Sequence, residues 1–273
     1  MPWRTIEIDS WSRFTEFSTR VTMHDLDVIA YLMRGQADES WPLMPSLLRN
    51  FPPGVNVNEA LKVEKFGISE FRMQAHLHLP VSVLPSTSLS KDPITEWWAL
   101  MQHHNAPTRL LDWTLSPYVA AYYAVERELD KPGTIFIVHP HTVMSSFREK
   151  FPQNTVTDDE FLDPNAPTVL MIFTPNKKTD RFVAQQSCFT LSVNILGVHD
   201  ELIEMTCGAA KNKGSNILIY EKLVIPSQLK LEFLRNLRAM NIAAHSLFPG
   251  IDGLGRSLSE SARLLSVPNL RLA

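Results

Sequence analysis

The sequence has 273 residues, and its hydrophobic fraction of 44% is enough for a large core, so we expect a single domain over residues 1–273. A formal net charge of −3 excludes a general affinity for polyanions, and no apolar run approaches the roughly 20 residues that span a bilayer. The two cysteines, Cys188 and Cys207, are too few for a disulfide framework, and the opening residues do not resemble a secretory signal, so we expect a cytoplasmic protein without a membrane partner.

The first half of the chain predicts a strand and two helices. In chain order, the predicted segments are a buried strand at 28–33, a helix at 58–79, a Ser/Thr/Pro-rich loop at 85–93 and a helix at 95–102. The strand delivers Arg34 to its end. Within the first helix, Gly67 interrupts the helical pattern and Pro80 stops it.

The second half predicts several strands followed by helices. The strands, each rich in β-branched or aromatic residues, lie at 134–138, 169–173, 182–193 and 217–225. The helices lie at 227–240 and 258–265. Residues 140–167 have the weakest periodicity and predict an insertion or a lid loop. This order favours an α+β fold with mostly antiparallel sheets and flanking helices.

Residues 102–124 carry more chemically capable side chains than any other stretch. The Ser-Pro pair at 116–117 matches an N-cap followed by proline at the first helical position, and the free N–H groups of such a helix start favour an anion. The preceding residues 109–113 alternate as a short strand would, with adjacent leucines that indicate burial on both sides. Such a strand could bring Arg109 and Asp112 to a phosphate-bearing ligand. Alternatively, these two residues form a buried ion pair and the neighbouring histidines belong to the core.

The same residues resemble the central signature of a known family. The run QHHNAPTRLLDWTLSPYVAAYYA is similar to the Gln-His-aromatic-Gly-x-Pro-Thr-Arg-Leu-Leu-Asp-Trp-Thr-x-Ser-Pro segment of the FRG domain family. Outlying blocks with the same resemblance lie at 31–36, 45–49, 181–190 and 247–253. The similarity therefore spans roughly residues 31–253.

Three positions depart from the family pattern. His104 stands in place of the usual aromatic residue, and Asn105 and Ser187 stand in place of glycines. If those glycines served a positive φ, Asn105 tolerates the replacement better than Ser187, because asparagine enters the left-handed region more readily. The loop near Ser187 is therefore where the family's geometry transfers least well.

The FRG resemblance implies a link to prokaryotic toxin and phage-defence systems, with a protein antitoxin as a partner. The order of the blocks is also similar to that of ADP-ribosyltransferases, which open with an Arg-Gly or His-Gly pair, continue with a Ser- or Tyr-bearing strand and helix, and end on a strand with an acidic or amide residue. Here that order is Arg34-Gly35, then residues 114–116, then Gln185-Gln186. The resemblance implies an ADP-ribosyltransferase-like core that uses NAD as its substrate.

Charge stabilisation at the ribose is the main demand of that reaction. Because a glutamine cannot stabilise a cation by charge, we expect Asp112 to supply the carboxylate, with Glu221 as the alternative. His103 or His104 could deprotonate the macromolecular acceptor, which is a nucleic acid such as RNA or DNA, or a protein. The predicted catalytic residues are Asp112, His103, His104 and Gln185. The predicted NAD-binding residues are Arg34, Gly35, Gln36, Thr108, Arg109, Ser116 and Gln186.

Two other functions remain open. A metal-independent nuclease or phosphodiesterase would use His103, His104 and Arg109 as acid, base and phosphate clamp, whereas a nonenzymatic module would use the cluster to hold a ligand or brace the core. Metal chemistry ranks below both, because the His-x-His pairs at 76–78 and 139–141 lack a carboxylate or cysteine set of recognised spacing. If the acceptor is a nucleobase, three tryptophans could stack on it, namely Trp97, Trp98 and Trp113.

Overall fold

The computed structural model describes residues 3–23, 31–85, 93–212 and 220–266. The strands of these residues are β1 (Arg4–Glu7), β2 (Leu32–Gln36), β3 (Leu110–Thr114), β4 (Gly133–Val138), β5 (Leu170–Phe173), β6 (Ser187–Ser192) and β7 (Tyr220–Ile225). The helices are α1 (Trp11–Met23), α2 (Ser46–Arg49), α3 (Val57–Gln74), α4 (Ile94–His103), α5 (Pro117–Val125), α6 (Pro140–Lys150), α7 (Asp158–Phe161), α8 (Asp180–Ala184), α9 (His199–Asn212), α10 (Lys230–Ala239), α11 (Ala244–Leu247) and α12 (Ile251–Leu265). Single 3-10 turns lie at Ala75–Leu77 and Ser227–Leu229. None of the helices in these ranges combines the length and the apolar composition that a bilayer span requires.

The described strands form one mixed sheet with the order β1-β7-β4-β2-β3-β6-β5. The β1–β7 pair is parallel, and every other neighbouring pair is antiparallel. This arrangement, with helices on the sheet, confirms the predicted α+β class and its mostly antiparallel pairing. The three strands that carry the predicted motifs, β2, β3 and β6, are neighbours in the sheet.

The sheet separates between β2 and β3. These strands are paired at one position, Met33 opposite Thr114, whereas β2 pairs with β4 through five positions and β3 pairs with β6 through five. Beyond Met33, the main chains of Arg34 and Asp112 are therefore not joined by ladder hydrogen bonds. A side chain has to form hydrogen bonds with the main chain in this gap, because a buried backbone group without a hydrogen-bond partner lowers the stability of the fold.

Helix α5 packs closely on β2 and β4 because both strands present a glycine to it. A Cβ atom at Gly35 would overlap the carbonyl oxygen of Ala120, and one at Gly133 would overlap that of Ala124. The small residues of α5 and the two glycines thus let backbone approach backbone. Gly35 therefore has a packing role, while its predicted contact with NAD stays a prediction.

Alternation along the strands divides the core between the two faces of the sheet. Met33, Ile135 and Ile137 pack with α1, α5, α10 and α11 in one cluster, whereas Leu32 and Phe136 point to the other face and pack with β3, α6 and α9. A further cluster joins α4 to α6, α7, β3 and β6. In β3, Leu110 belongs to this last cluster and Leu111 to the second one, which confirms that the adjacent leucines are buried on both sides.

Two predicted segments differ from the structure in their local geometry. The expected strand at 182–193 is divided into α8 and β6, because the Thr179 side chain caps α8 by accepting a hydrogen bond from Phe182 N at 3.2 Å, and Gln186 then turns the chain with a φ of +48°. Conversely, α3 continues through Gly67, where a Cβ atom would meet nothing within 4 Å. A single exposed glycine lowers helix propensity without breaking the helix.

Residues 140–167 are not a lid loop. They contain α6 and α7, and the rings of Phe147 and Phe161 are buried in the cluster around α4. The remaining predicted helices and strands match the described elements to within several residues at their ends, apart from the start of α12 at Ile251. Parts of the predicted segments at 28–33, 85–93 and 217–225 lie outside the described residues.

Candidate functional site

A cavity of about 690 Å³ lies over β3 and β6, bounded by the end of α4, by α8 and by the start of α12. Its volume is in the range of cavities that bind nucleotide-sized ligands. The polar side chains that matter for its chemistry are His103, His104, Asp112, Arg181, Gln185 and Arg256. The cavity thus brings together the predicted catalytic residues His103, His104 and Asp112 of the signature with Gln185, which lies more than seventy residues later in the chain.

Asp112 is the one exposed side chain of β3, and 52% of its side-chain surface is accessible. Gln102 Nε2 donates a hydrogen bond to Asp112 Oδ2 at 2.6 Å. Gln102 is itself held by Thr108, whose hydroxyl donates to Gln102 Oε1 at 2.6 Å. The carboxylate is therefore oriented by two residues of the signature while one side of it stays open to the cavity.

Arg34 occupies the gap between β2 and β3. Its guanidinium donates to the main-chain oxygen of Asp112 at 2.8 Å and lies 4.0 Å from Asp112 Oδ2. Its Nε donates to Gln36 Oε1 at 3.1 Å, and Gln36 donates in turn to Trp41 O. Burial lowers the pKa of Arg34, and the nearby Asp112 opposes that shift. Arg34 thus holds Asp112 in position from the side of β2. The side-chain amide of Gln36 orients Arg34 and does not bind a ligand.

The two histidines lie side by side at the end of α4, with ring centroids 4.8 Å apart. His103 Nδ1 lies 3.3 Å from Thr179 Oγ1. Burial, followed by the charges of His104 and Arg181, lowers the pKa of His103 to about 4, and burial and Arg181 lower the pKa of His104 as well. Both imidazoles are therefore neutral near pH 7 and can accept a proton, but neither is a ready proton donor.

Two arginines flank the ring of Phe248 at the other side of the cavity. The guanidinium carbon of Arg181 lies 4.9 Å from the ring centroid, and that of Arg256 lies 4.4 Å from it. Among the described residues, no carboxylate oxygen is within 4.0 Å of either guanidinium. Arg181 also forms a hydrogen bond with Tyr123, whose pKa is raised chiefly by burial. The pair places two guanidinium groups without a direct ion-pair partner at the cavity wall, which is also lined by Asp180 and Asp252.

Arg109 is not part of this cavity, so the prediction that it binds a phosphate is wrong. Its side chain is buried and forms a two-point ion pair with Glu64, whose Oε1 lies 2.8 Å from Arg109 Nε. The guanidinium also donates to Val193 O at 2.7 Å and stacks on Trp98 at 4.6 Å. The alternative of a buried ion pair was correct in kind, but its carboxylate is Glu64 and not Asp112.

Other predicted ligand contacts prove to be structural. Ser116 caps α5, since its hydroxyl accepts a hydrogen bond from Val119 N at 3.3 Å, and it does not line the cavity. Thr108 is fully buried, and Gln186 turns the chain before β6 without lining the cavity. Gln185 does line it, but its Nε2 donates to Leu247 O at 2.9 Å.

The predicted aromatic stacking and the alternative acid are also wrong. The three tryptophans are buried among core side chains, with 4% exposure at most. Glu221 is buried on β7 and pairs with Arg4 at 3.0 Å, away from the cavity. Among the described residues, no group of three or more His, Cys, Asp or Glu side chains could hold a metal ion.

Sequence reasoning missed four residues that shape the site: Gln102, Arg181, Phe248 and Arg256. It also missed Glu64, although a signal was present. Glu64 falls on the same helical stripe as Ala60, Leu61 and Ile68, and a carboxylate on an apolar stripe indicates a buried partner. The expected left-handed residue is confirmed at Asn105, which has a φ of +60°, whereas Gln186 and not Ser187 has a positive φ at the later position.

Comparison with protein-family models matches residues 29–132 to the FRG domain. The matched range contains β2, α4, β3 and α5, and with them Arg34, His103 and Asp112. No curated protein and no solved structure matches the chain. The outlying blocks at 181–190 and 247–253 fall outside the matched range.

Proposed function

We propose that this chain transfers ADP-ribose from NAD to a macromolecular acceptor, because it contains an FRG domain and because that domain presents an oriented carboxylate to a cavity that is also lined by two arginines, Arg181 and Arg256. Such a modification would disable a cellular component, which fits the role in toxin or phage-defence systems that the family resemblance implies. A protein antitoxin would then be a partner of the same cavity.

The observation that carries this proposal is that the carboxylate of Asp112 is both oriented by neighbouring side chains and open to the cavity. Cleavage of the bond between nicotinamide and ribose develops positive charge on the ribose, and a preoriented carboxylate stabilises such charge more than a mobile one. Asp112 is open to the cavity, and Gln102 and Arg34 hold it on the protein side. We assign it the charge-stabilising role that a glutamate has in related transferases.

Arg181 and Arg256 are suited to the pyrophosphate of NAD. Both contact the ring of Phe248, and within the described residues neither has a carboxylate oxygen within 4.0 Å. Guanidinium groups recognise phosphate oxygens through paired N–H donors. The pyrophosphate would therefore lie near Phe248, and the nicotinamide ribose would reach Asp112.

The two histidines complete the reaction. The acceptor's lone pair forms the new bond to the ribose carbon, nicotinamide leaves with the electron pair of the broken bond, and the acceptor's proton passes to an imidazole. Since the pKa values of His103 and His104 are lowered, a neutral imidazole is available at physiological pH.

The same pKa shifts weigh against a metal-independent nuclease. That mechanism needs one protonated imidazole as an acid beside one neutral imidazole, together with an arginine clamp. Neither histidine is protonated near pH 7, and Arg109 is sequestered by Glu64. Hydrolysis of RNA or DNA without NAD consumption would nevertheless favour that function over ours.

The proposal is tested by measuring NAD binding and NAD consumption separately. Asp112→Asn should keep the NAD affinity within about twofold and lower turnover by roughly two orders of magnitude, the scale of losing one preoriented electrostatic group. Asp159→Asn, which changes an exposed aspartate on α7 in the same way, is the matched control and should alter neither quantity. Calorimetric titration gives the affinity, and release of nicotinamide gives the turnover. An Asp112→Asn variant with full turnover, or a wild-type protein that does not bind NAD, would contradict the proposal.

The anion site is tested in the same assay. Arg256→Gln keeps a polar side chain on α12 but removes its charge, so NAD should bind about tenfold more weakly. The salt dependence of binding should also decrease, because fewer ionic contacts remain. An unchanged affinity would show that the phosphates bind elsewhere.

A further inference from the structure

A second cavity, of about 650 Å³, lies between α3, the 3-10 turn that follows it, and the residues after α4. Its lining is mainly apolar and includes Leu47, Phe71, Ala75 and Met101. Cavities of this size and composition commonly bind apolar groups. None of the functions discussed above uses it.

The second cavity adjoins the first one. His104 and Leu79 line both of them, so the imidazole of His104 stands at their common wall. In the proposed reaction, an acceptor bound in the second cavity would therefore lie beside the imidazole that we assign as its proton acceptor.

The two cavities differ in the charged residues that line them. The first is lined by four cations, Lys177, Lys178, Arg181 and Arg256, and by four carboxylates, Glu96, Asp112, Asp180 and Asp252, whereas no lysine or arginine is among the described residues that line the second. Two glutamates line the second cavity. Arg109 neutralises the charge of Glu64, so the carboxylate of Glu70 gives the second cavity its net negative charge. A nucleic acid would bring phosphates to a surface without cations, which is unfavourable because phosphate contacts dominate its affinity.

The rim of the second cavity exposes apolar surface. Phe66 is 67% exposed and Val63 is 50% exposed, and both lie on α3 beside the cavity. Contiguous exposed apolar residues next to an apolar cavity indicate a surface that another molecule covers. An apolar side chain in the cavity, with a basic residue near Glu70, would satisfy both the shape and the charge.

We propose that the second cavity binds an apolar side chain of a protein, which makes the acceptor of ADP-ribose a basic, apolar protein segment and not a nucleic acid. The inference rests on the proposed function for its link to NAD, through the shared His104. The binding preference of the second cavity can be measured without NAD.

The experiment uses the full chain and two fluorescein-labelled probes, the peptide Gly-Lys-Phe-Leu-Lys-Gly and a single-stranded oligoribonucleotide of similar length. Phe66→Ser should weaken peptide binding by about fivefold or more, the scale of losing an aromatic anchor. Met205→Ser, which changes a similarly exposed apolar residue on α9, is the control and should leave the affinity unchanged. In protein labelled with carbon-13 at the methionine methyl groups, the peptide should shift the Met101 signal and the oligoribonucleotide should not.

The outcomes separate the two proposals. Equal peptide affinities for wild type and Phe66→Ser, no peptide binding, or a Met101 shift caused by the oligoribonucleotide would overturn the inference while NAD consumption still supported the proposed function. With labelled NAD and a mixture of cellular protein and RNA, the transferred label should be removed by protease and not by ribonuclease. Peptide binding at Met101 without any NAD consumption would overturn the proposed function and, with it, the acceptor role of the cavity.

Discussion

Two arginine–carboxylate pairs involve the signature residues 102–124, and they differ in burial, geometry and distance. Arg109 and Glu64 have 2% of their side-chain surface exposed and meet at two points. Arg34 and Asp112 are 19% and 52% exposed, and their closest charged atoms are 4.0 Å apart. In the first pair each charge satisfies the other, whereas in the second the carboxylate keeps a free side.

The difference in burial between the two pairs indicates that one signature residue stabilises the fold and another is available for chemistry. A buried pair must be complete, because removing one partner leaves a charge in a medium that solvates it poorly. A half-open pair loses little stability when it is broken, but it can stabilise charge on a ligand. Of the two charged residues in the Arg-Leu-Leu-Asp run, Arg109 holds the fold together and Asp112 faces the cavity.

The largest expected effect is on the buried pair. Glu64→Gln removes the charge that neutralises Arg109 and should lower the free energy of unfolding by about 3–5 kcal/mol. Asp112→Asn, the same chemical change in the exposed pair, should lower it by no more than about 1 kcal/mol. Chemical denaturation followed by circular dichroism measures both. Equal losses would remove the distinction between the pairs.

A smaller loss of stability is expected at the glycine that follows Arg34. Gly35→Ala places a methyl group against the carbonyl of Ala120, so α5 and β2 have to move apart at a cost of about 1–3 kcal/mol. Gly67→Ala, where the methyl group meets nothing, is the control and should stabilise α3 by up to about 1 kcal/mol. Thermal melts of the two variants should shift in opposite directions. A Gly35→Ala protein with unchanged stability would contradict the packing role of Gly35.

Loss of the hydrogen bond that orients Asp112 should affect the turnover of NAD more than its binding. Gln102→Ala frees the carboxylate from its hydrogen bond and should lower kcat for NAD consumption by about tenfold with little change in KM. Gln153→Ala, in an exposed turn, is the control. Steady-state kinetics on both variants gives the two constants. A change in KM alone would make Gln102 a binding residue and not a positioning one.

A further expected effect is a pH dependence of stability at the cavity. The pKa of His103 is lowered from 6.5 to about 4 in the folded chain, so between these values the unfolded chain binds a proton that the folded chain does not. The contribution of His103 is therefore fully present above pH 6.5 and decreases as the pH falls toward 4. In His103→Asn the free energy of unfolding should decline less over this window than in wild type. Parallel declines would show that other groups, such as the buried His199, carry the dependence.

The local structure around the signature follows from the order of its residues. Ser116 and Pro117 fix the start of α5, because capping and a preset φ act within one turn of helix. The alternation and the paired leucines predicted β3, and the family's glycine at position 105 indicated a positive φ that asparagine tolerates, which Asn105 has. These features depend on neighbours in the chain, which the sequence displays directly. The FRG resemblance of the same segment is likewise confirmed.

The pairing of the charged groups, in contrast, depends on how distant segments pack. Arg109 and Glu64 are 45 residues apart, and Arg181 and Arg256 reach Phe248 from different helices. The separation of β2 from β3, which makes room for Arg34, depends on strand pairing across the sheet. A signature arginine stabilises the core or binds a ligand according to its burial and its nearest opposite charge. Its burial and its partner depend on the packing of distant segments, which no local pattern specifies.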